Sequence, residues 1–115
     1  MDSFQDHLAL MVKNLFTENI FCDVTLVTDD QTQFKAHKFV LSACSSILKS
    51  LFEKNPHPHP LIYLNGVQKK EMEWILQFMY LGETRIDDDG IEDFFNVAEI
   101  FKVKQLAQET ALSWF

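Results

Sequence analysis

The chain has 115 residues, 47% of them hydrophobic and 23% charged, the size and balance of one folded domain, with too few Gly and Pro for a disordered or collagen-like chain. Ten Lys and Arg against 17 Asp and Glu leave a net charge of −7, which repels phosphate backbones and argues against nucleic-acid binding by this chain. Eleven Phe, two Trp and two Tyr exceed what a small core easily buries, so some apolar surface is expected to await a partner chain.

From Phe4 the apolar residues Leu8, Met11, Val12, Leu15 and Phe16 recur at three- and four-residue steps, and Ser3 followed by Asp6 forms an N-cap pattern. The spacing predicts a first helix over residues 1–18. It stands ahead of everything it could pack on, which suits an element shared with a second chain; packing on its own core is the alternative. Asp23 to Thr28 alternates polar and apolar with β-branched residues, Asp29-Asp30-Gln31 reads as a turn, and Thr32 to Ala36 resumes an extended pattern, together a β-hairpin. Two short helices follow, one from His37 to Cys44 and one marked by Ile47, Leu48, Leu51 and Phe52, with a break at Ser45-Ser46.

The alternation of Pro and His in Asn55 to Pro60 excludes helix and predicts an extended surface loop. Leu61 to Leu64 reads as a buried strand ended by Asn65-Gly66. Met72, Ile75, Leu76, Met79 and Tyr80 mark a helix stopping at Gly82, and a further strand is expected at Glu83 to Ile86. Asp87, Asp88 and Asp89 are placed to cap a helix carrying Ile91, Phe94, Phe95, Ala98 and Phe101, and a last helix is expected through Leu106, Ala107 and Ala111.

Chemistry is sparse. The nearest local nucleophile and base are Cys44 or Ser45 with His37, but seven residues of helix separate partners by about 10.5 Å, beyond a hydrogen bond. Gly66, Gly82 and Gly90 are isolated, so there is no phosphate-cradling loop. His57 and His59 offer two imidazoles where zinc needs about four ligands, and the acids Glu83, Asp87, Asp88, Asp89, Glu92 and Asp93, offset only by Arg85, lack the spacing of a calcium loop. No catalytic, cofactor-binding or metal site is expected. Cys22 and Cys44 lie far apart without dithiol or zinc spacing, which fits a reducing compartment, and no apolar run approaches the length of a membrane span.

The stretch Phe21-Cys22-Asp23-Val24-Thr25-Leu26-Val27, followed by Phe34-Lys35-Ala36-His37-Lys38-Phe39-Val40-Leu41-Ser42-Ala43-Cys44-Ser45, resembles the signature of BTB/POZ domains. Met79-Tyr80-Leu81-Gly82-Glu83 and Val97 to Leu106 resemble two further landmarks of that family, so the likeness covers nearly the whole chain. The loop at Asn55 to Pro60 is similar to that of insect zinc-finger members, although the tryptophan-bearing N-terminal strand of the largest insect subgroup has no counterpart.

The resemblance implies an α+β fold, with a small mixed sheet flanked by α-helices, in a single domain over residues 1–115. Within it, residues 1–18 would be a dimerising N-terminal helix and residues 21–115 the core. It implies a homodimer whose interface includes Phe4, Leu8, Met11, Val12 and Leu15, and a charged pocket at the interface formed by Asp23 and Lys38; Lys in place of Arg keeps the charge but not the bidentate geometry. His37 is expected as a hydrogen-bonded core or helix-start residue. Ser46-Ile47-Leu48 departs from the aromatic pair that would shape a peptide groove.

The expected role is non-enzymatic: homodimerisation and co-regulator recruitment for a nuclear transcription regulator whose zinc fingers supply the DNA contacts. The alternative is a substrate adaptor for a cullin-type ubiquitin ligase, for which Leu51-Phe52-Glu53 is a rough match. A channel-tetramerisation domain is disfavoured by the Ala36-His37-Lys38 segment.

Overall fold

A computed structural model describes residues 3–103 of the chain. The elements run α1 (Ser3–Glu18), β1 (Val24–Val27), β2 (Gln33–Ala36), α2 (Lys38–Cys44), α3 (Ser46–Lys54), β3 (Leu61–Tyr63), α4 (Lys69–Leu81) and α5 (Ile91–Phe101), with a 3-10 turn at Asp88–Gly90 entering α5. The sheet has the order β2-β1-β3. The hairpin pairs β1 with β2 antiparallel, Leu26 opposite Phe34, and β3 returns parallel to β1 with Ile62 opposite Leu26.

The α+β class follows from how the apolar residues are spent. All four residues of the central strand β1 are buried, and Leu26, Leu41, Leu48, Met72 and Ile75 bring β1, α2, α3 and α4 into one core that is closed to solvent. Helix α4 stops at Gly82, whose φ of 80° is the left-handed conformation that glycine adopts without strain.

Ser45 is the residue that separates α2 from α3. Its extended backbone (φ −131°, ψ 117°) interrupts the helix, while its fully buried hydroxyl accepts from Leu48 N–H at 3.1 Å and donates to Phe101 O at 2.5 Å. One small side chain thereby caps α3 and ties it to the end of α5.

Three expectations from the sequence change. No strand forms at Glu83 to Ile86: the segment finds no neighbouring strand, and it is held to α4 by the Thr84 hydroxyl on Gln77 Oε1 at 2.7 Å. Asp87, at the N-cap position of the 3-10 turn, makes no side-chain cap bond; Asp88 and Asp89 form the turn itself, leaving Glu92 and Asp93 in the first turn of α5, where their charge favours the positive helix end. Only one of the three β3 side chains, Ile62, packs on the core, so the strand is an edge and not a buried strand. The helix expected through Leu106 to Ala111 lies outside the described residues.

Gly90 lies against the Trp74 indole, where an added Cβ would overlap the ring carbon Cη2. Trp74 is itself buried, with Lys70 Nζ 5.6 Å from its ring centre. Gly90→Ala is therefore expected to destabilise the fold by about 1–3 kcal/mol through overpacking, seen as a lower denaturant midpoint with an unchanged slope.

Candidate protein-interaction surface

Helix α1 is divided lengthwise. Val12 and Phe16 pack on the core, and the Phe16 ring stacks on Tyr80 of α4 at 4.7 Å and 26°. Phe4 (70% exposed), Leu8 and Met11 face away from the core, and Leu15 is half-buried. Of the residues expected to form an interface, Val12 thus serves this chain's own packing, while Phe4, Leu8 and Met11 form a bare apolar stripe.

The sequence reading missed further exposed apolar side chains. Ile20, Phe21 (83% exposed) and Phe39 (59%) are also bare. Phe21 has a φ of 60°, a left-handed backbone that a bulky aromatic residue rarely adopts. The only signal in the sequence was the aromatic excess; that Phe21 and Phe39 are the bare rings comes from the fold.

Beside Phe39, whose ring lies 6.1 Å from that of His37, is a hydrogen-bonded cluster. His37 N–H donates to the Tyr80 hydroxyl at 2.9 Å, and His37 Nδ1 is 2.7 Å from the same oxygen; His37 Nε2 is 2.5 Å from Ile20 O. These partners fix the proton positions: the Tyr80 hydroxyl donates to Nδ1, and Nε2–H donates to the Ile20 carbonyl. Every polar atom of the pair is then satisfied. Burial pushes the Tyr80 phenol well above its ordinary range.

Cys22 Sγ lies 3.8 Å from His37 Nε2 and 3.3 Å from Asn19 Oδ1. This is the Cys-His neighbourhood that local spacing could not produce. It is poorly suited to nucleophilic chemistry, because Nε2 already carries a proton aimed at Ile20, and burial, followed by the Asp23 charge, raises the thiol pKa. The Cys44 thiol is directed at Met79 O at 3.7 Å. Among the described residues no group of three or more His, Cys, Asp and Glu is placed to hold a metal.

Asp23 and Lys38 are brought together, though not as an ion pair. Asp23 Oδ1 accepts from Lys38 N–H at 2.8 Å, and the Lys38 ammonium donates to His57 O at 2.5 Å. His37, the N-cap residue of α2, offers no side-chain cap, so the carboxylate of Asp23 does the capping from across the fold.

The sequence and the fold are matched by a known family. The BTB/POZ domain model matches residues 12–112, and the chain belongs to that family. The "Longitudinals lacking protein-like" protein of Drosophila melanogaster is 42% identical over 107 residues, which cover 93% of this chain and 84% of that protein. The Drosophila sex determination protein fruitless and the alpha isoform of protein tramtrack are each 37% identical over 94% and 93% of this chain, but the match spans only 11% and 13% of their lengths. The BTB domain of human gigaxonin superposes with a TM-score of 0.77 at 27% identity, covering 92% of this chain and 87% of that one. BTB domains are protein-interaction modules and not enzymes, and a small mixed sheet flanked by helices is their fold.

Two outcomes are expected at this junction. Tyr80→Phe leaves His37 N–H and Nδ1 without a partner and should cost about 1–3 kcal/mol, measured by urea unfolding. In the parent chain the neutral phenol stabilises the fold fully up to about pH 10, where an unfolded tyrosine ionises; above that the unfolded state loses the proton first, so the unfolding midpoint should fall. For the second pair, Asp23→Ala should cost about 1–2 kcal/mol as a lost cap, with Lys38→Gln adding to it within about 0.3–0.5 kcal/mol in a double-mutant cycle, because the two charges do not pair.

Proposed function

We propose that this chain is the homodimerisation and protein-recruitment module of a nuclear transcription regulator. The observation that carries the reading is the bare apolar stripe of Phe4, Leu8 and Met11, together with Phe21 and Phe39. A surface of this kind on a chain with a net charge of −7 is costly to leave in water, and a two-fold axis lets one copy cover it with the same patch of another. Leu15 completes the dimer face from its half-buried position.

The regulatory half of the proposal is supported by the relatives, among them fruitless, tramtrack and a zinc finger protein, chinmo, 37% identical over 110 residues. By analogy, DNA contacts fall to other segments, which suits an acidic domain, and co-regulator proteins bind the assembled dimer in the nucleus. Asp23 and Lys38 belong to this proposal as a charged, half-buried pocket beside the dimer face, in reach of a co-regulator peptide. A cullin adaptor has less to rest on, since Phe52 of Leu51-Phe52-Glu53 is buried in the core.

Sedimentation at low micromolar concentration should give twice the monomer mass, with an interface of about 2,000 Å². Leu8→Asp combined with Met11→Asp should give a folded monomer, because both side chains are exposed while Val12 and Phe16 keep α1 on the core. A dimer that survives both changes would overturn the assignment of α1.

A further inference from the structure

The sheet ends on an edge without a neighbour. In the parallel β1/β3 ladder Thr25 N–H donates to Pro60 O at 3.0 Å and Leu64 N–H to Val27 O at 2.8 Å, so Ile62 directs its peptide groups at β1. The peptide groups of Leu61 and Tyr63 therefore point out of the sheet. Among the described residues no strand lies beyond β3.

The side chains leave this edge bare too. Ile62 packs on the core, while Leu61 (62% exposed) and Tyr63 (53%), whose hydroxyl accepts from Gln31 Nε2 at 3.3 Å, lie on the opposite face beside the buried Thr25 and Val27. Soluble proteins commonly guard an edge with a charge or a proline within the strand, and Leu61-Ile62-Tyr63 has neither. Instead, the His-Pro loop holds the strand in place: His59 Nε2 is 2.8 Å from Thr25 Oγ1, and Lys38 anchors the carbonyl of His57.

The charges around β3 are polarised along its length. Lys35, level with Leu61 across Thr25, lies with Lys38 toward its N-terminal end. Asp29, whose Oδ2 accepts from Gly66 N–H at 2.9 Å, and Asp30 lie toward its C-terminal end. A second copy of the same edge laid antiparallel brings the lysine end of each against the aspartate end of the other; a parallel arrangement opposes like charges.

We propose that β3 pairs antiparallel with β3 of a second copy about a two-fold axis at Ile62, joining the two sheets edge to edge and giving the domain a self-association surface separate from α1. Leu61 and Tyr63 of the second copy then exchange both hydrogen bonds of a ladder pair, and each leucine packs against a tyrosine ring on that face. Three residues make a weak contact singly. Where α1 already joins copies in pairs, each pair carries two such edges, and linkage through them gains by effective concentration.

Sedimentation velocity from low to high micromolar concentration tests this. The wild-type chain is expected to shift to a larger species as concentration rises. Leu61→Lys combined with Tyr63→Lys should abolish the shift while leaving circular dichroism unchanged, whereas Leu8→Asp with Met11→Asp should retain a shift, from a smaller starting species and displaced to higher concentration because the gain from α1 pairing is lost, so failure of the α1 reading is told apart from failure of this one. A wild-type mass constant across the range, or a shift that survives both lysines, overturns the proposal. As a second measurement that needs no added charge, Leu61→Cys chains are mixed with Tyr63→Cys chains and oxidised. The paired Cα atoms of a hydrogen-bonded antiparallel pair lie about 5.5 Å apart, within disulfide reach, so the 61–63 cross-link should dominate over 61–61 and 63–63. Predominance of either like pair, or no cross-link at these positions, overturns the antiparallel register.

Discussion

The His37–Tyr80 contact is the constraint on which the arrangement of helices depends. One hydroxyl receives the backbone amide at the start of α2 and donates to the imidazole of the same residue, while the other imidazole nitrogen reaches back to the carbonyl of Ile20. Three segments distant in sequence, the end of the α1 connection, the β2–α2 corner and α4, are thereby fixed on one buried side-chain pair. Because both partners are polar and enclosed, the geometry has few alternatives: any shift leaves a donor or acceptor without water or protein to satisfy it. Phe16 stacked on the far side of Tyr80 then sets how α1 lies, and so decides which of its faces stays bare.

Much of the fold was legible because periodicity reports burial. The α1 stripe, the hairpin, the paired short helices and the glycine stop of α4 all follow from spacing and from residues with narrow backbone preferences. The failures share a cause. Leu61 to Leu64 reads as a buried strand because a short apolar run does not distinguish an interior position from an edge; only the order of strands in the sheet makes that distinction. Glu83 to Ile86 follows the glycine stop of α4, where a strand could begin, yet a strand needs a neighbour, and local sequence does not state whether one is present.

The candidate site was legible to a lesser degree. Phe4, Leu8 and Met11 were readable from the helix, but Val12 falls on the inner face because of its angular position against α4, a fact of packing. Asp23 and Lys38 could be paired from the family resemblance, whereas the chemistry of that pairing, carboxylate to helix amide and ammonium to a loop carbonyl, depends on where the His-Pro loop crosses the surface. That Phe21 and Phe39 are bare, with the Phe39 ring edge-on to His37, required the fold.

The left-handed backbone at Phe21 has a consequence for how this domain can evolve or be engineered. Glycine at that position would adopt the same φ freely and remove the steric conflict, so it is the substitution that selection for thermal robustness alone would favour. It would also erase the most exposed aromatic ring in the described chain. At this residue backbone comfort and the exposed ring pull in opposite directions, and under the proposed dimerisation a stabilisation scheme that installed glycine would relieve the fold while weakening any association the ring supports, an effect legible only in the concentration dependence of unfolding.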